Sequence, residues 1–68
     1  MVVKKIIELV GGSPKGWDEA VANAVKEAAK TVRNITSVRV VEYTAKVQGS
    51  KIVEYRALVR IAFNVVRD

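Results

Sequence analysis

The sequence predicts an α+β fold in the order β-α-β-β, with one helix on one side of a three-stranded antiparallel sheet. Three observations predict it. A β-branched opening segment stops at Gly11-Gly12, one stretch repeats apolar residues at helical spacing, and two long segments of alternating character are separated only by Gly49-Ser50. With 68 residues there is room for a single domain, residues 1–68. Half of the residues are apolar, which is enough for a small core, yet a chain of this size buries only roughly 60% of its unfolded surface. The usual supports are disulfides, metals or association. There is no Cys and no His, so disulfides, thiolate metal sites and the commonest general base are excluded. Self-association is the support to expect.

Val2 to Val10 is rich in Val and Ile and reads as a strand over 2–10 that ends at Gly11-Gly12. Ser13-Pro14 then reads as a helix start, with a hydroxyl to cap free N–H groups and a proline that has no N–H to leave unpaired. Asp18 and Glu19 sit where the helix dipole favours negative charge. Trp17, Ala20, Val21, Ala24, Val25, Ala28 and Val32 form one apolar stripe, which predicts a helix over 14–33. Its alanines would let it lie close to a sheet.

The rest reads as a hairpin of strands 35–48 and 51–66 around Gly49-Ser50. A two-residue turn there sets Val38, Val40, Ala57, Val59, Ile61 and Phe63 on one face, apolar enough to receive the helix. Ser37, Arg39, Val41, Tyr43, Glu54, Arg56, Leu58, Arg60 and Ala62 share the other, which mixes apolar and charged residues. Strands so much longer than the typical ~5–6 residues would project beyond one helix and leave edges for another chain to complete.

The net charge is +5 and uneven: residues 1–30 carry net +1 and residues 31–68 net +4. Such a half admits anionic partners without naming one. A nucleic-acid module is one reading, disfavoured because the sheet lacks the exposed aromatic ladder of sheet-based RNA binders. An enzyme is the weakest reading, since no acid–base constellation is visible. Lys4, Lys5 and Glu8 interrupt the apolar start, so it does not read as a signal peptide, and no apolar run reaches the ~20 residues of a membrane span. A cytoplasmic protein without a membrane partner is the expectation.

Several side chains are candidates for a site. Arg39 and Arg60 would face each other across the hairpin, as an anion site for phosphate, chloride or carboxylate, or as partners of Glu8, Glu42 or Glu54 from neighbouring subunits. Those three glutamates are also the only strand carboxylates available to a cation. One chain has no Asp-rich loop, so a calcium site would need symmetry copies or many waters. Trp17 opens the helical stripe and reads as packing rather than ligand stacking. Tyr43 and Tyr55 fall on opposite faces by parity, with Tyr43 opposite Arg56 as a ligand candidate or a cation–π pair. Gly11-Gly12-Ser13 matches neither dinucleotide nor P-loop patterns.

Taken in order, Glu8-Leu9-Val10-Gly11, Ser13-Pro14, Trp17-Asp18-Glu19-Ala20, Ala24, Ala28, Val32-Arg33-Asn34-Ile35, Glu54-Tyr55-Arg56-Ala57-Leu58-Val59 and Phe63 resemble the dodecin family over nearly the whole chain. The resemblance implies a sheet wrapped around its helix, twelve copies forming a hollow shell, and no catalysis. In the best-known branch the shell stores flavins (FMN, FAD or riboflavin) in pairs between subunits. Two positions carry that activity. A stacking tryptophan early in the second strand is replaced here by Ser37, and a glutamine after the third-strand aromatic is replaced by Arg56. Weak or absent flavin binding is therefore expected, with a modified flavin-storage pocket as the alternative. The calcium-dodecin branch, which also has arginine after the tyrosine, is the nearer likeness. The candidate ligand set is Ser37, Val38, Arg39, Tyr43, Arg56 and Arg60, and the candidate metal set is Glu8, Glu42 and Glu54.

Overall fold

The computed structural model describes residues 2–66. It contains β1 (Val2–Ser13), α1 (Trp17–Ala28), β2 (Ile35–Gln48) and β3 (Lys51–Val66). The three strands form one antiparallel sheet in the order β1-β3-β2, with β3 in the centre. The expected β-α-β-β order and the hairpin bounds hold. Gly49 takes φ +64 in the two-residue turn, while Ser50 does not take positive φ, the pattern of a hairpin turn with glycine first.

β1 does not stop at the glycine pair. It runs through Gly11 and Gly12 to Ser13, which pairs with Tyr55. Neither glycine has positive φ. Gly11 is needed instead for close approach, because a Cβ there would stand 2.1 Å from the carbonyl oxygen of Ala20 and 2.8 Å from Cβ of Ala24. The helix lies directly on the strand at this point.

The helix is shorter than its apolar stripe, beginning at Trp17 rather than Pro14 and ending at Ala28 rather than Arg33. Ser13 belongs to the sheet, so its hydroxyl reaches no free helical N–H. It accepts from the Lys15 N–H at 3.0 Å and donates to Glu19 at 3.0 Å, fixing the turn before the helix instead of capping it. Gly16, extended at φ 170, takes the N-cap position without a side-chain bond. At the other end the Thr31 and Val32 N–H groups both fold back to the Ala28 carbonyl. Asn34 then turns the chain into β2 at φ 64, a left-handed conformation that asparagine tolerates better than most residues.

Ala20, Ala24 and Ala28 bury the helix stripe against Ala57, Val59 and Ile61 of β3, with Ile7, Leu9, Val21, Val25, Ile35 and Val40 around them. Three alanines contribute little apolar area, and their value is proximity: they let α1 sit low enough for β3 side chains to be fully enclosed. The twelve-residue helix spans ~18 Å, whereas the molecule is 54 Å long. About two thirds of the sheet's length therefore has no helix over it. On the opposite face, Ile6 and Val10 of β1 are 64% and 62% exposed.

Candidate functional site

The face of the sheet away from the helix is organised in cross-strand rows. Glu8, Arg60 and Arg39 stand side by side across β1, β3 and β2. The Arg60 Nε–H donates to Glu8 Oε2 at 2.9 Å. The partner expected from a neighbouring subunit is thus supplied by the chain's own first strand, a contact legible only once β1 is placed beside β3. Arg39 is left opposite Arg60 and, among the described residues, has no carboxylate partner. The row carries one surplus positive charge.

On each side of it lies a row with apolar residues on β1 and β3 and a polar one on β2. Ile6, Ala62 and Ser37 form one, and Val10, Leu58 and Glu42 the other. Beyond come Gly12, Arg56 and Thr44, then Glu54 opposite Lys46. Arg56 Nε–H is bonded to Glu54 two residues away along the strand. Of the three candidate metal ligands, Glu8 and Glu54 are therefore each held by an arginine. Glu42 is the one without an ion pair among the described residues. No group of three His, Cys, Asp or Glu side chains able to hold a metal occurs among the described residues.

Ser37 is exposed on edge strand β2 and pairs with Ala62 as expected. Arg56 lies six residues farther along β3, roughly 20 Å away at strand rise. A site using both positions must draw them from different chains. Val38 pairs with Ile61 on the helix side of the sheet, at its open margin.

The register corrects the expectation for Tyr43. The pairing follows the simple hairpin from Ser37↔Ala62 to Val40↔Val59, but Val41 has no partner and Glu42 pairs with Leu58. Nearest the turn, Gln48↔Lys51 and Val47↔Ile52 keep the simple register. Val53 of β3 then goes unpaired, and Lys46↔Glu54 through Glu42↔Leu58 run one residue out of step until the unpaired Val41 of β2 restores it. Tyr43 then pairs with Ala57, not with Arg56, whose neighbour is Thr44. Both tyrosines consequently stand on the helix side and flank Trp17. The Trp17–Tyr55 ring centroids are 4.8 Å apart at 79°, and Trp17–Tyr43 are 5.9 Å apart at 69°. The indole N–H donates to the Thr44 carbonyl at 2.9 Å. This aromatic cluster is the feature that parity alone missed, since no composition signal marks the irregularities at Val53 and Val41.

Comparison with known proteins agrees with this architecture. Residues 3–66 match the Dodecin family model. A curated relative, the calcium dodecin of Mycobacterium tuberculosis, is 34% identical over 65 residues, covering 96% of this chain and 92% of that protein. Among solved structures, a Thermus thermophilus protein superposes with a TM-score of 0.94 at 28% identity over the whole of both chains. The dodecin of Streptomyces coelicolor gives 0.93 at 25% identity, over 98% of this chain and 96% of its own. A structure of the calcium-chelating M. tuberculosis calcium dodecin, described with a novel calcium-binding site, gives 0.80 at 37% identity, over 90% of this chain and 87% of its own. With the fold, the strand order and nearly the full length in agreement, the chain belongs to the dodecin family.

Proposed function

We propose that this dodecin is a non-enzymatic binding protein whose ligand or ion sites are completed by further copies of the chain, twelve of them enclosing a hollow shell, and that flavin is bound weakly or not at all. The observation that carries the reading is the condition of the two flavin positions. Ser37 presents a hydroxymethyl group on an open edge where a ring would have to stack, and a lost stacking partner is worth about 1–3 kcal/mol. Arg56 is engaged by Glu54 and has no acceptor to offer a ring N–H.

An ion is the better-supported ligand. The relative with 34% identity is a calcium dodecin, and Glu42 is a carboxylate each copy can present without first giving up an arginine. A single carboxylate falls short of the six to eight oxygens calcium takes, so carboxylates and waters gathered from several copies would complete the shell. The exposed Ile6, Val10 and Val41 and the unpaired outer edges of β1 and β2 supply the surface for association.

Two measurements test the reading. Native mass spectrometry should give a species of twelve times 7.5 kDa, and a monomer overturns the assembly. Calorimetry on that species should show calcium binding that Glu42→Gln weakens, while riboflavin fluorescence stays unquenched into the high micromolar range. Tight quenching would restore flavin storage in a modified pocket, the alternative function.

A further inference from the structure

On the helix side, away from the arginine rows, Trp17 and Tyr43 meet edge to face and form two walls of an open corner. The indole is fixed there by its bond to the Thr44 carbonyl and by Tyr55 on another side. Even so, Trp17 is 37% and Tyr43 54% exposed. Asp18, next to Trp17 on the first helical turn, completes a groove of about 350 Å³ lined by these three residues. Its carboxylate has no hydrogen-bond or ion-pair partner among the described residues. The chain carries +5 overall, yet no lysine or arginine lines this groove.

We propose that the Trp17–Tyr43–Asp18 corner is a binding site for a small organic cation of the quaternary or methylated ammonium class. Aromatic faces attract cations through their quadrupoles, and a methylated ammonium, with its charge spread over an apolar shell, gives up little hydration to sit between them. Asp18 supplies the opposite charge. Lys15 lines the adjoining hollow with Trp17 and Asp18, and the start of α1 contributes roughly half a positive charge. The two carboxylates in the first turn, Asp18 and Glu19, outweigh them together. A hard metal ion gains too little, because one carboxylate and two rings offer no shell of oxygens. An anion is repelled by Asp18, and a neutral apolar guest would strip water from a carboxylate without compensation. A tetramethylammonium-sized guest fits well within the groove.

Trp17 is the only tryptophan, so its emission reads this corner alone. Tetramethylammonium chloride should change that emission saturably with a midpoint on the order of millimolar, as suits an exposed cation–π site. Sodium chloride at matched ionic strength and tert-butanol, a neutral guest of similar shape, should not. Asp18→Asn should weaken binding about fivefold, and Tyr43→Leu by at least as much, while Tyr43→Phe, which keeps the ring, binds like the wild type. Asp18→Asn and Tyr43→Phe leave the packing in place, so the test survives if Tyr43→Leu fails to fold. Three outcomes overturn the proposal: no saturable change, an equal response to salt or tert-butanol, or an Asp18→Asn titration identical to wild type. Emission that shifts on dilution but ignores tetramethylammonium would show the groove filled by a second copy, and also overturns it.

Discussion

Replacing Gly11 with alanine tests how closely the helix lies on the sheet. The added Cβ would stand 2.1 Å from a backbone oxygen and 2.8 Å from the Ala24 methyl. An ordinary carbon–oxygen contact is ~3.3 Å, so α1 must rise by about 1 Å along the Ala20–Ala24–Ala28 stripe. A gap of that size forfeits a quarter to a half of the dispersion attraction between facing atoms, and overpacking of this kind costs about 1–3 kcal/mol. The whole chain is worth only ~3–10 kcal/mol at typical stability per residue, so the loss is a large share. Gly12→Ala is the matched control: the same substitution one residue later meets nothing nearer than the Glu54 carboxylate at 3.5 Å. It should be neutral or gain a few tenths of a kcal/mol by restricting the unfolded chain. Urea denaturation followed by Trp17 emission and circular dichroism, at one fixed protein concentration because association adds to stability, should lower the midpoint for Gly11→Ala alone. Adding Ala24→Gly should recover little, since the nearer obstacle is backbone. Equal midpoints for the two glycine variants would refute the close approach as the reason for Gly11.

Gly49→Ala should cost about 1 kcal/mol in a thermal melt, a purely backbone effect, because φ is +64 and nothing lies within 4 Å of the new Cβ. Glu8→Gln should cost no more than ~1 kcal/mol, since the Glu8–Arg60 pair is half exposed. Adding Arg39→Ala should recover part of that loss by removing a like charge opposite Arg60, and 1 M salt should shrink both effects. Ser37→Trp with Arg56→Gln should raise riboflavin affinity about tenfold or more over the parent in a fluorescence titration. No gain would mean that these two positions do not limit flavin binding here.

The bounds of the hairpin were legible in the sequence because Gly49-Ser50 fixes its turn and alternation fixes its strands, but its register between Glu42 and Lys46 was not. The helix was legible as an apolar stripe but not in its bounds. Val32 continues the spacing beyond Ala28, yet the carbonyl of Ala28 already takes two folded-back N–H groups and Asn34 must turn the chain. Gly11 misled for a different reason. Glycine marks both chain reversal and close packing, and only the position of α1 tells which applies. The site residues divide in the same way. Arg39 opposite Arg60 follows from counting back from the turn, whereas Glu8 beside Arg60 depends on β1 pairing with β3, and antiparallel hairpin arithmetic says nothing about a third strand.

The two irregularities at Val53 and Val41 do more than correct one pairing. Without them, Tyr43 would stand among the arginines, where its ring could share the cation of Arg56 and add an aromatic surface to the face that carries the flavin positions. With them, Tyr43 moves to the helix side beside Trp17, and the outward face keeps carboxylates, arginines and aliphatic residues but no aromatic ring between Ser37 and Lys46. The same one-residue offset thus removes a stacking surface from one side of the sheet and builds an aromatic corner on the other. The two faces are separated by the hydrogen-bonded backbone of the sheet, and their charges differ in sign at the places that matter, with a surplus arginine on one and a free aspartate on the other. Occupancy of the cation corner should therefore leave unchanged the calcium affinity proposed for the outer face. A shared titration curve would mean that the sheet transmits between its faces, which a fully paired central strand with its helix side closely packed gives no reason to expect.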